Sequence, residues 1–556
     1  MADAVRLRVA AALCIGAFSF SCVGAQEPQS QRPSETTPAK NPAGPPAIPG
    51  TVKDSETEGT VRAGGQTIAY RAVAGTITVA GTDPQDATLG FDGKPLSDSG
   101  IKPTDEAPPT ARMFYAAYFK KDAPQESRPI TFIYNGGPGS PTMWLHMGTF
   151  GPKRIVTPDT QHQTAGPYQI VDNQDSLLDV SDVVFIDAPG TGLSRTFGKG
   201  KSEAFYGVDA DGHAFERFIR RFLSKYNRWN SPKYLFGESY GTPRSAVLAA
   251  DLRSVDLNGI ILLSQILSFD NSADGPAANP GVDQAYALAL PTMAATAWFH
   301  HKLPTQPPAL KPFLDEVQKY ALGDYMTALL QGSELPDAQK RAVAEKLHGY
   351  LGLPVDYLIK SDLRVNGGAF SKQLRADEGI TVGRLDSRYA GPDIDPLSQG
   401  SGYDPQSDAI TSAWNTAINS YLHNDMKYAT QDTYLLSARE GGEFSWNMTH
   451  RPPGRGGGGG GAAGTVETGA NVMPDLAYRM KLNPKMKVFL AGGYYDLATP
   501  YFEGIYEMHH LPMPNALQSN ISYKYYEAGH MIYVREDILK QFHDDVANFI
   551  RGTQRP

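Results

Sequence analysis

The chain has 556 residues, 41% of them hydrophobic, 20% charged and 10% aromatic, and a formal net charge of −8. That composition excludes a disordered, collagen-like or coiled-coil chain and leaves room for a large core and more than one structural unit. The acidic balance argues against a broad nucleic-acid surface, and no interior stretch reaches the ~18 uninterrupted apolar residues that span a bilayer, so a soluble enzyme is expected.

Residues 1–25 read as a signal peptide. Arg6 and Arg8 precede the apolar run Val9 to Phe20, and Val23-Gly24-Ala25 supplies small residues before Gln26. The expectation is export, to a periplasm or outside the cell. A lipid-anchored form through Cys22 is the alternative, although Ser19-Phe20-Ser21 is a poor lipobox. Both cysteines, Cys14 and Cys22, lie in this segment, so the mature chain would hold none. Cysteine catalysis and Cys-ligated zinc are thereby excluded from it. Residues 26–55, rich in Pro, Ser and Thr, read as a disordered linker.

The next elements are β-like. Thr67 to Tyr70, Gly75 to Val79 and Met113 to Phe119 suggest an antiparallel meander at a sheet edge. Then strands alternate with helices: Ile130 to Tyr134, Val183 to Ile186, a helical stretch over about Glu203 to Arg228, Tyr234 to Phe236, a helix over Arg244 to Arg253, and Gly259 to Leu263. This rhythm predicts a mostly parallel α/β sheet with functional loops at the C-terminal strand ends. Residues 56–267 would form the first part of the core and 268–438 a helical cap insertion, with helices over Pro336 to Leu351 and Ala409 to His423. The core resumes over 439–556, with a Gly-rich loop at 454–464, strands at Lys487 to Leu490 and Tyr523 to Tyr526, and a helix over Arg535 to Ile550.

The chemistry gathers at four strand ends. Gly237-Glu238-Ser239-Tyr240-Gly241 fits the Gly-x-Ser-x-Gly elbow, in which small residues let a serine sit on a sharp strand-to-helix turn. An ordinary turn is the plain alternative. A serine hydroxyl needs a base, and the base needs an orienting carboxylate. Asp496 follows one downstream strand and His530 the next, the order Ser, Asp, His of α/β-hydrolases. Two backbone N–H donors would hold an oxyanion: Tyr240, after the nucleophile, and the loop Asn135-Gly136-Gly137-Pro138-Gly139, which is otherwise a tight turn. His146 and His213 read as packed or solvated. No His-Glu-x-x-His occurs, so no metal is expected.

These segments, with Asp187 to Ser194 and Ala528-Gly529-His530-Met531, resemble the serine carboxypeptidase family, peptidase family S10. Ser140, where secreted eukaryotic members usually have Cys, suits a disulfide-free bacterial branch. The resemblance implies an α/β-hydrolase fold, peptide substrates, no cofactor, and an acyl-enzyme on Ser239 served by His530 and Asp496. It implies an oxyanion hole at Gly137 and Tyr240, and a site for the substrate's free carboxylate at Asn135, Gly136 and Glu238. Departures are plain: Thr149 stands at the family's second Glu position, Ile133 replaces an aromatic, and the elbow continues Thr242-Pro243. Without a partner carboxyl, Glu238 is expected to have a less raised pKa, and the pH optimum to be less acidic than is usual for the family. Two alternatives stay open: another triad hydrolase (prolyl-type aminopeptidase, esterase or acyltransferase), or a non-catalytic binding protein. Oligomeric state leaves no trace in the sequence.

Overall fold

Short apolar runs build a sheet covered on both faces. The computed structural model describes residues 53–96, 108–428, 431–442, 444–453 and 470–554. The signal peptide, most of the 26–55 linker and the 454–464 loop therefore lie outside the described residues. The strands are β1 (Ser55–Ala63), β2 (Gln66–Ala80), β3 (Thr110–Lys120), β4 (Ile130–Tyr134), β5 (Asp182–Ile186), β6 (Arg195–Phe197), β7 (Lys233–Glu238), β8 (Gly259–Leu263), β9 (Lys487–Gly493) and β10 (Ile521–Tyr526). They form one ten-stranded sheet in the order β1-β2-β3-β5-β4-β7-β8-β9-β10, with β6 pairing off the path against β3. Pairings from β1 to β5 are antiparallel. Those from β5 through β4 to β10 are parallel. This is the α/β-hydrolase fold.

Period-two alternation explains the layers. Ile133, Phe185, Phe236, Ile261 and Phe489 face one apolar cluster, while Phe132, Val184, Leu235, Ile260 and Val488 face the other. The longer helices are α1 (Val208–Lys225), α2 (Gly241–Asp251), α3 (Gln284–Phe299), α4 (Leu310–Tyr320), α5 (Asp337–Leu351), α6 (Pro405–Asn424), α7 (Met473–Leu482), α8 (Tyr501–His509) and α9 (Glu536–Thr553). α1 buries Phe215, Phe218, Ile219 and Phe222 on one sheet face, and α9 buries Ile538, Leu539, Phe542 and Val546 on the other. Each such side chain contributes about 1.5–3 kcal/mol by leaving water. Helices α3 to α6 form the insertion between β8 and β9. A third cluster, joining Leu288, Leu314, Leu347 and Phe370 to Tyr495, Leu497 and Phe502, ties it to the turn after β9.

Three boundaries differ from the sequence reading. Thr67–Tyr70 and Gly75–Val79 are one continuous strand, because β2 is paired along its length by β1 and β3 despite Gly75. The stretch from Glu203 to Arg228 is two helices, Lys201–Phe205 and α1, because Gly207 is extended and bridges to Asn447. Ser55, placed in the linker, already belongs to β1.

Candidate active site

Ser239 occupies the turn between β7 and α2 with φ of 58°, a left-handed conformation that costs a non-glycine residue about 1–3 kcal/mol. The turn is held by Ser239 N–H donating to the Leu263 carbonyl (3.0 Å) and Thr242 N–H donating to the Ser239 carbonyl (2.8 Å). A Cβ on Gly237 would collide with the Gly241 carbonyl, which is the physical reason for the elbow's glycine spacing. The Ser239 side chain is half-buried at the C-terminal end of the sheet.

The turns after β9 and β10 bring Asp496 and His530 together. The fully buried Asp496 accepts N–H bonds at Oδ1 from Ala498 (2.9 Å) and Thr499 (3.0 Å). Its Oδ2 accepts the Thr499 hydroxyl (2.7 Å) and lies 2.7 Å from His530 Nδ1. Burial alone would lower the His530 pKa, but the charge and hydrogen bond of Asp496, with Glu238, outweigh it and raise the imidazole above its ordinary value. Among the described residues no hydrogen bond joins the imidazole to the Ser239 hydroxyl, a contact that commonly tightens only when substrate is bound.

On the other side of the elbow, Gly136 lies so close to the Tyr240 nitrogen that a Cβ would collide with it. Neither the Gly137 nor the Tyr240 backbone N–H donates to a described residue, which leaves both for a ligand oxygen. The buried Glu238 accepts Asn135 Nδ2 (2.8 Å) and the Tyr533 hydroxyl (3.0 Å) at Oε2. Burial pushes its carboxyl up to about 7, against the partly offsetting His530 charge and the Tyr533 and Asn135 hydrogen bonds. Burial alone thus lifts Glu238 well above its ordinary range even without a second carboxyl beside it. Thr149 turns away, its hydroxyl donating to the Leu145 carbonyl (2.5 Å).

Several further residues support the site, most of them without a local sequence signal. Arg244, paired with the buried Asp211, donates to the Asn135 carbonyl (2.6 Å) and fixes that loop. Asp187, the first residue of the Asp187–Ser194 motif, accepts the Thr142 (2.9 Å) and Leu193 (3.1 Å) N–H groups. Burial lifts its carboxyl to about 6, and its place is structural. A loop of the insertion binds both chemical turns. The Arg384 carbonyl accepts Leu497 N–H (3.1 Å), the Leu385 carbonyl accepts His530 N–H (2.6 Å), and Ser387 N–H donates to the Tyr495 carbonyl (2.9 Å). His146, by contrast, is packed: burial drops its pKa to about 3.

A cavity of about 860 Å³ is lined by none of these residues. It holds His450, whose Nδ1 lies 2.5 Å from Asp209 and Nε2 2.8 Å from Asp475. Burial opposes the charge, but the two carboxylates raise the imidazole to about 9. A raised histidine stabilises the fold fully below its unfolded pKa of about 6.5 and loses that contribution as pH climbs through about 9. His450→Gln should therefore lower unfolding free energy by up to ~3 kcal/mol at pH 6 and much less at pH 10. Urea titrations at the two pH values check this, and an equal loss at both would contradict it.

Residues 101–253 match the profile of the serine carboxypeptidase family, a segment that contains the Asn135 loop and Ser239 and ends before Asp496 and His530. No curated protein matches the chain. Among solved structures, the chain is similar to Kex1(delta)p, a prohormone-processing carboxypeptidase from Saccharomyces cerevisiae: 12% identity, 87% of this chain and 91% of that one covered, TM-score 0.46. It is also similar to proline iminopeptidase of Mycobacterium smegmatis: 11% identity, 80% and 96% covered, TM-score 0.33. The esterase RhEst1 of Rhodococcus sp. is a third: 12% identity, 79% and 95% covered, TM-score 0.33. No helix among the described residues is long and apolar enough to cross a membrane. On an α/β-hydrolase fold, the chain is thus similar over residues 101–253 to the serine carboxypeptidase family.

Proposed function

We propose that this protein is a serine-type carboxypeptidase that removes C-terminal residues from peptides. Ser239 Oγ attacks the carbonyl carbon of the last peptide bond while His530 takes its proton. Asp496 holds the imidazole in the tautomer with Nδ1–H inward and stabilises the cation that forms. The carbonyl oxygen, now an anion, is received by the N–H groups of Gly137 and Tyr240. Collapse breaks the C–N bond, His530 returns its proton to the leaving amine, and water repeats the sequence to free the acyl group. The free carboxylate of the substrate would lie at Asn135, Gly136 and Glu238. Glu238, with a pKa near 7, can donate a hydrogen bond to it while protonated. The reading needs no cofactor or metal.

The observation that carries this proposal is the 2.7 Å contact between buried Asp496 and His530 on the turns next to the strained Ser239. One observation favours a second reading, another triad hydrolase such as a prolyl-type aminopeptidase or esterase. Thr149, at the position of the family's second Glu, is bonded within its own turn. Export through residues 1–25, to a periplasm or outside the cell, and a bacterial branch of the family belong to the same proposal. Mass spectrometry of a peptide library before and after incubation tests the reaction. Shortening from the C-terminus is expected, with C-amidated peptides spared. Shortening from the N-terminus, or no cleavage beside ester hydrolysis, would overturn the carboxypeptidase reading.

A further inference from the structure

The insertion loop that grips the two chemical turns also delivers a charged side chain. Arg384 and Leu385 are bonded through their carbonyls to the residues Leu497 and His530, so the Arg384 backbone is fixed beside the turn that carries Asp496. The loop is itself anchored: Asp404 Oδ2 accepts both the Arg384 (2.6 Å) and Leu385 (2.9 Å) N–H groups. The Arg384 guanidinium is not buried; its side chain is 48% exposed and that of its partner Asp274 is 45% exposed. Asp274 meets it side-on, through Nε (2.7 Å) and through Nη2. Among the described residues Nη1 has no hydrogen-bond partner, so the Nη1–Nη2 edge is left unpaired while the Nε–Nη2 edge is held by Asp274. The backbone bonds from Leu497 to Arg384 (3.1 Å) and from His530 to Leu385 (2.6 Å) place the root of this side chain beside both chemical turns.

A guanidinium has two edges that each match a carboxylate, and one held by a protein carboxylate presents the other in a fixed direction. The family-like carboxylate site at Glu238 lacks its second carboxyl, because Thr149 stands there and is bonded elsewhere. We propose that Arg384, oriented by Asp274, binds a carboxylate of the peptide substrate through its free Nη1–Nη2 edge. The favoured source is the terminal α-carboxylate; an acidic side chain next to the scissile bond offers the same chemistry. This inference rests on the carboxypeptidase reading and deepens it by assigning a specificity residue on the insertion.

The test compares wild type, Arg384→Gln and Asp274→Asn on three N-blocked dipeptides: one with a free C-terminus and neutral side chains, its C-terminal methyl ester, and an ester with an acidic side chain. The readout is the ratio of kcat/KM for free acid over neutral ester, with thermal melts as a folding control. Arg384→Gln is expected to lower that ratio about tenfold or more, through KM. Asp274→Asn should lower it less, because the charge stays and only its aim is lost. A fall confined to the acidic-side-chain ester would assign the arginine to a side chain and overturn the terminal-carboxylate assignment. A ratio within about twofold of wild type in a folded Arg384→Gln protein would overturn the binding role altogether. Failure of the underlying reading looks different: wild type itself would then show no action at C-termini.

Discussion

Asp496→Asn is expected to lower kcat by about 10⁴-fold with KM little changed, because the amide would enforce the wrong imidazole tautomer. The direction of the amide is dictated by its surroundings. Oδ1 accepts two backbone N–H groups, from Ala498 and Thr499, so the asparagine oxygen must take that place. Its NH₂ group then faces His530 Nδ1, which has to accept rather than donate. The remaining ring proton moves to Nε2, where it blocks transfer from the serine. Steady-state kinetics on an N-blocked peptide measure the loss. A fall of less than about tenfold would mean that Asp496 does not orient the base.

The second large effect concerns Glu238. On the proposed reading its carboxyl, lifted to about 7, would donate to a substrate carboxylate only while protonated and, once ionised, would repel the same group. For free-acid peptides kcat/KM should therefore fall about tenfold per pH unit above roughly 7, through KM. On the acid side activity falls as His530, raised above its ordinary value, takes up a proton. Glu238 and His530 act on each other's titration, so the active form is the one in which the pair holds a single proton, on the carboxyl. Glu238→Gln stays neutral at every pH and should abolish the alkaline fall, giving at least tenfold higher relative activity at pH 8.5 than the same ratio in wild type. The pH profiles of the two proteins decide it, and an alkaline limb retained by the glutamine variant would contradict the role.

Much of this site is legible because each of its turns announces itself locally. A short apolar run ending in Gly-Glu-Ser-Tyr-Gly or Asn-Gly-Gly-Pro-Gly is a strand followed by a tight turn, whatever lies elsewhere in the chain. The residues that hold those turns together are illegible for the opposite reason. Tyr533 reaches Glu238 from a position 295 residues away, and no pattern near either one records the contact. The grip of Leu385 on His530 likewise joins two segments that meet only after the insertion has folded. The size of the Glu238 lift is illegible for the same reason. Charge counting considers a missing partner carboxyl, whereas the dominant influence is burial. β2 shows the same limit in the fold, since its two neighbours pair with it without a break across residues 71–74, where a local reading divides it.

The central claim is that Ser239 is made nucleophilic by the Asp496–His530 pair. A fluorophosphonate probe, followed by proteolysis and mass spectrometry, measures it directly. The account predicts a single stoichiometric adduct on Ser239, formed in wild type and slowed by orders of magnitude in Asp496→Asn. An unlabelled Ser239 in folded protein, or labelling that proceeds equally well without the carboxylate, would contradict it.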